Sequence, residues 1–186
     1  MIKKLKEATS ELHEKLEEKN LAYLIIEHEI KVDEYQLLLL QNYIAYAVCE
    51  HKIEEFFSLE KPLKNELLLK DLSALKINTK LIDKQLVKFK DSFSIDNQYE
   101  ALGAKYVVDG SALGGMQIAK NIPLCDNLKD IPQPNFFSGD RAQMKQWNSF
   151  SKILKKDYSL EQENLAIKKA KETFIFFDTV FSQVFL

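Results

Sequence analysis

The sequence predicts an all-α fold: a single-domain, multi-helix bundle over residues 1–186. Three observations carry that expectation. Apolar residues recur at i, i+3 and i+4 along most segments, the period of one helix face. No convincing set of alternating strands appears anywhere in the chain. The turn formers are concentrated: three of the four prolines fall in 121–139, and the first hundred residues contain none of the five glycines. With 46% hydrophobic and 29% charged residues, a chain of this length can bury a substantial core.

The elements follow in order. Residues 2–19 place Ile2, Leu5, Thr9, Leu12 and Leu16 on one stripe. Residues 33–57 make a long helix, apolar through the middle and charged at its end, "CEHKIEEFF". A break at Pro62 precedes "PLKNELLLKDLSAL", which resumes the helical period. "NTKLIDKQLVKF" is shorter, with Asn78 or Thr79 as its N-cap. Residues 96–120 read as helix even though they hold Gly103, Gly110, Gly114 and Gly115. The segment 121–139 is a connecting loop. "DRAQMKQWNSFSKILKK" and "SLEQENLAIKKAKETFIFFDTVFSQVF" supply two final helices, giving about seven or eight in all.

Composition excludes several classes of function. A net charge of −2 with pI near 6.0 leaves no nucleic-acid footprint. Cys49 and Cys125 are too few for a disulfide framework and sit in apolar settings, as small core residues do. The N-terminal stretch has no signal-peptide apolar region. The apolar run "LLLLQNYIAYAV" is interrupted by Gln41 and Asn42 and is too short for a bilayer. A soluble cytoplasmic protein is expected.

The glycine cluster "VVDGSALGGM" matches no phosphate-binding loop or nucleophile elbow. On a helix, Gly103, Gly110 and Gly114 share a face, and each interior glycine costs about 1 kcal/mol against alanine. Two explanations stand side by side. Small residues let two helices approach closely, or a flat ligand lies on the bare backbone of a bent helix. Of the three histidines, His28 and His51 lie in charged surface stretches. His13 flanks the apolar stripe of the first helix, with Glu17 one turn on and Lys6 seven residues before it. A histidine with a carboxylate neighbour is the pattern of a metal ligand and its orienting anion. With no second ligand at chelating spacing, it suits a metal already held in a macrocycle, a haem with one axial histidine.

These residues resemble those of the haem (heme) oxygenases. "LKEATSELHEKLEE" is similar to the first helix of that family, which reads L-K-E-A-T-x-x-x-H. "YVVDGSALGGMQ" resembles its distal helix, particularly the E-G-S-x-L-G-G pattern of bacterial biliverdin-producing members. "FFSGDRAQMKQWNSF" and "AIKKAKETFIFFDTVF" are similar to the C-terminal third in order and spacing. The resemblance implies a bundle with haem between the first helix and a kinked distal helix. It implies that His13 binds the iron, that Glu17 hydrogen-bonds His13, that Thr9 touches the haem, and that Lys6 and Lys145 meet the propionates. Gly110, Gly114 and Gly115 would form the distal wall. Ser111 stands where animal members carry an aspartate, so proton delivery is built differently, through the Ser111 hydroxyl and backbone carbonyls. Haem would be both substrate and cofactor, with O2 as co-substrate. Electrons would come from a ferredoxin or reductase partner, because the chain has no flavin or nicotinamide fingerprint. A monomer or weak dimer is expected. Competing readings are a non-catalytic haem-binding or haem-transfer protein of this fold, and a thiaminase-II-like or quinone-cofactor-synthesis protein.

Overall fold

The long apolar segment forms the axis of the bundle. In the computed structural model, which describes residues 1–139 and 141–186, it is a helix over Val32–Glu54, buried on nearly every side. A helix that is apolar all round belongs at the centre of a bundle. Its two polar interruptions are satisfied there. Gln41 Nε2 donates to the Phe181 and Val184 carbonyls at 2.8 and 3.2 Å, and Asn42 Nδ2 donates to Leu38 O at 2.8 Å.

Among the described residues there are nine α-helices, two short 3₁₀ turns and no strand. The helices are α1 (Ile2–Lys19), α2 (Ala22–Ile26), α3 (Val32–Glu54), α4 (Lys64–Ala74) and α5 (Thr79–Phe89), then α6 (Gln98–Gly110), α7 (Ala112–Asn121), α8 (Ala142–Ile153) and α9 (Leu160–Gln183). The all-α expectation holds. Two differences from it have physical causes. Five-residue α2 is too short to show a period. The expected helix over 96–120 is two helices, divided at Ser111, so the kink falls inside the glycine cluster. Asp140, at the expected start of α8, lies outside the described residues.

Capping agrees with the local sequence. The Asn78 side chain accepts from Lys80 N, Asn97 accepts from Tyr99 N and Glu100 N, and Ser159 with Gln162 closes a capping box on α9. Cys49 and Cys125 are buried free thiols, and His28 and His51 are exposed.

The core falls into two regions. The larger surrounds α3 and takes in α4, α5 and the C-terminal half of α9. The smaller joins α1, α6, α8 and the first half of α9 through Leu5, Leu102, Phe150, Leu154, Ala166 and Phe174. Helices α6 and α9 pack closely because Gly103 meets Ala166. A methyl group at Gly103 would lie 2.0 Å from the Ala166 carbonyl oxygen. A buried ion cluster ties the same pair together: Lys169 Nζ lies 3.2 Å from Glu100 and 2.6 Å from Glu172, and it donates to Ser94 O at 2.9 Å. No helix is long and apolar enough to cross a membrane among the described residues.

Candidate functional site

Helices α1 and α7 each pack against α2, yet they make no substantial contact with each other among the described residues. The two faces turned to solvent in this region carry most of the residues singled out from the sequence.

On α1, Leu5 and Thr9 are buried while Leu12 and Leu16 are half-buried, so His13 falls at the edge of the stripe. Its side chain is 55% exposed. One edge of the ring packs T-shaped on Phe174 of α9 at 5.8 Å. Nδ1 faces the Glu17 carboxylate at 3.4 Å, and Nε2 has no protein partner among the described residues. With Nδ1 directed at an anion, Nε2 is the nitrogen left for a ligand. One turn back, the Thr9 hydroxyl donates to Leu5 O at 2.8 Å, and Tyr106 of α6 reaches the same hydroxyl. Burial pushes the Tyr106 pKa up, and Thr9 opposes that shift.

The glycines divide into three kinds. Gly103 serves helix packing, as described above, although its spacing puts it on the same face as Gly110 and Gly114. At Gly110 a methyl would meet the Trp147 indole of α8 at 3.7 Å, ordinary contact. At Gly114 and Gly115 a methyl would meet nothing within 4 Å. Neither takes a left-handed backbone; the one positive-φ glycine among the described residues is Gly139. Neither packing nor backbone conformation therefore asks for glycine at 114 or 115, and each forgoes about 0.5–1 kcal/mol of helix stability.

The Ser111 hydroxyl donates to Val108 O at 2.8 Å within the kink and lies in reach of the buried Tyr46 hydroxyl. Lys6 and Lys145 are exposed and form no ion pair among the described residues, so both cations are available to an anionic ligand. Sequence reasoning missed Phe174 beside His13 and Trp147 over Gly110, because both contacts join helices far apart in the chain. It also missed a group of charges buried beside the kink, of which only the i, i+4 pair Lys105–Asp109 leaves a local trace, at 2.9 Å. No set of three or more His, Cys, Asp or Glu side chains that could hold a bare metal ion occurs among the described residues.

This arrangement fits haem. A free imidazole nitrogen stands on α1, the bare backbone of Gly114 and Gly115 lies on α7, and Lys6 and Lys145 carry cations without an ion pair among the described residues. An all-α bundle that carries an exposed histidine beside a carboxylate on one helix and a bare glycine pair on another is compatible with the class of histidine-based haem proteins. Comparison with known proteins narrows that class. The heme oxygenase family model matches residues 1–183, and the chain belongs to that family. Its fold is similar to that of the heme oxygenase of Leptospira interrogans, with a TM-score of 0.69 and 16% identity, covering 97% of this chain and 98% of that one. It is also similar to heme oxygenase-1 of the cyanobacterium Synechocystis sp., solved in complex with heme, with a TM-score of 0.64 and 13% identity, covering 97% and 90%. No protein of curated function matches the sequence directly.

Proposed function

We propose that the chain is an active haem oxygenase of the biliverdin-producing type, taking haem as substrate, O2 as oxidant and electrons from a separate donor protein of ferredoxin or reductase type. The observation that carries this reading is the pair Gly114–Gly115. Both give up helix stability on a helix face where nothing in the protein touches them. A large planar group lying on that face accounts for the loss.

Haem supplies the iron at which O2 is reduced, and the products are biliverdin, carbon monoxide and ferrous iron. The protein's part is binding, orientation and hydrogen bonding. His13 Nε2 holds the iron from the α1 side, with Glu17 and the Phe174 ring fixing the plane of the imidazole. Lys6 and Lys145 pair with the propionates and set the rotation of the ring. On the far side, Gly114 and Gly115 leave room for a small ligand and expose peptide groups that can hydrogen-bond it. Because the Ser111 hydroxyl is turned to the Val108 carbonyl, this polarity comes chiefly from the backbone.

Optical titration with ferric haem, then a single turnover with a chemical reductant under oxygen, tests the proposal. A histidine-ligated spectrum that converts to biliverdin with release of carbon monoxide is expected. A stable haem complex that yields no biliverdin would make the protein a haem carrier instead.

A further inference from the structure

Among the described residues, two that are not glycine take a left-handed backbone: His28, with φ 60°, and Lys76, with φ 57°. Both close a helix. After α2, His28 N donates to Ile25 O at 3.2 Å and Glu29 N donates to Leu24 O at 2.8 Å. A helix ending of this kind favours glycine at its left-handed position, because a Cβ there crowds the backbone. After α4, Lys76 N and Ile77 N bond to Ser73 O and Leu72 O in the same pattern. The two side chains differ. Lys76 is exposed and makes no side-chain hydrogen bond or ion pair among the described residues. His28 Nε2 lies 2.8 Å from Oδ1 of Asn121, the last residue of α7. Asn121 Nδ2 donates to Gln117 O at 3.0 Å, which turns Oδ1 toward the imidazole and makes Nε2–H the donor.

This bond joins elements that bear on the site. His13 lies on α1 and the pair Gly114–Gly115 on α7, and both helices pack against α2. Ile118 and Ala119 press α7 onto the larger core, but apolar contact is non-directional and leaves small slides and turns of a helix open. A hydrogen bond at the helix end closes them. Two further side chains hold the α2 turn to the segment that follows α7. Cys125 Sγ reaches Ile25 O at 3.6 Å, and Asn127 Nδ2 donates to Ile30 O at 3.2 Å. Neither residue belongs to α7; the His28 imidazole reaches α7 itself.

We infer that His28 and Asn121 are positioning residues. Their hydrogen bond fixes the end of α7 on α2, and so sets where the Gly114–Gly115 face stands relative to His13. The effect on haem rests on the haem oxygenase reading; the effect on α7 does not. An imidazole at a position that favours glycine then has a reason. Because the bond is exposed, its influence is local to α7 rather than spread over the fold.

Hydrogen exchange in the haem-free chain tests the first half. His28→Gly keeps the left-handed turn and removes the donor; Asn121→Ala removes the acceptor while favouring helix. Either should speed exchange of the α7 amides by about two- to tenfold, the range of one net hydrogen bond, and leave α3 unchanged. The double variant should go no further than the singles, because all three lack the same bond. Lys76→Gly, the same backbone change after α4, should leave α7 at the wild-type rate. Transfer of haem from the full chain to excess apomyoglobin tests the second half. It should quicken by a similar factor in His28→Gly and Asn121→Ala but not in Lys76→Gly. Urea midpoints of the haem-free variants should stay near wild type; an early midpoint in both His28→Gly and Asn121→Ala would make these residues part of the general fold and overturn the assignment. Unmoved α7 exchange, or a double variant that sums the single effects, would overturn it as well. Faster exchange with unmoved haem transfer would remove the role in the site. A wild-type chain that takes up no haem would refute the functional reading, and the exchange result would still decide whether the bond fixes α7.

Discussion

Gly103→Ala and Gly114→Ala are the same chemical change within one stretch of sequence, and the structure assigns them opposite signs. At Gly103 the new methyl would lie 2.0 Å from the Ala166 carbonyl oxygen and 2.8 Å from its carbon. That is more than about 1 Å short of ordinary contact. The obstacle is backbone, so no rotamer change relieves it and α6 must move away from α9. Overpacking of this kind costs about 3 kcal/mol, of which about 1 kcal/mol is returned by helix propensity. A net loss near 2 kcal/mol lowers Tm by roughly 4–8 °C in a chain of this size. At Gly114 the methyl meets nothing within 4 Å. The haem-free variant should gain about 0.5–1 kcal/mol and melt roughly 1–4 °C higher. The assay is thermal and urea unfolding of both haem-free variants, with biliverdin yield measured in parallel. Gly114→Ala should combine higher stability with a lower yield. A Gly114→Ala protein that melts as early as Gly103→Ala and turns over normally would refute the haem-wall assignment.

Other outcomes follow from the same geometry. His13→Ala should lose the histidine-ligated haem spectrum and regain it with added imidazole; an unchanged spectrum would move the ligand role elsewhere. Lys6→Ala should redistribute the biliverdin isomers while changing haem affinity little, since an exposed charge pair contributes about 0–1 kcal/mol. A hundredfold weaker affinity with a single isomer retained would contradict that role. Lys169→Met leaves Glu100 buried without its cation and should destabilise the haem-free fold by about 3–5 kcal/mol in urea. Burial lowers the Lys169 pKa, but the hydrogen bonds it donates to Glu172 and Glu100 outweigh it and leave the group above its usual value of 10.5. Its stabilising contribution is therefore complete below pH 10.5 and is lost as pH rises through the folded value. Wild type should weaken in that alkaline window, and Lys169→Met should show a flatter profile there.

Helix periodicity made most of the bundle legible, since it depends only on which residues share a face. Contacts between helices distant in sequence were not legible. The spacing of Gly103, Gly110 and Gly114, seven residues and then four, puts all three on one helical face, yet one meets a backbone, one an indole and one nothing, because α9 and α8 cover different parts of that face. The same limit hid Phe174, which reaches His13 from the far end of the chain. Gln41 read as an interruption of an apolar run; its reason is the C-terminal end of α9, where its amide meets two carbonyls. On the α1 side the motif and the geometry meet at His13 and Glu17, which are neighbours on one helix and needed no tertiary information.

The chain has a single tryptophan, and it lies over Gly110 with its ring 5.9 Å from that of Tyr106. All indole emission therefore originates beside the kink between α6 and α7, where α8 covers Gly110. A haem lying on the Gly114–Gly115 face, as proposed, would quench it by energy transfer, so the intrinsic fluorescence of the protein would follow ligand entry and product departure without any added label. Stopped-flow traces from this one fluorophore can time both events separately from the colour changes of the tetrapyrrole.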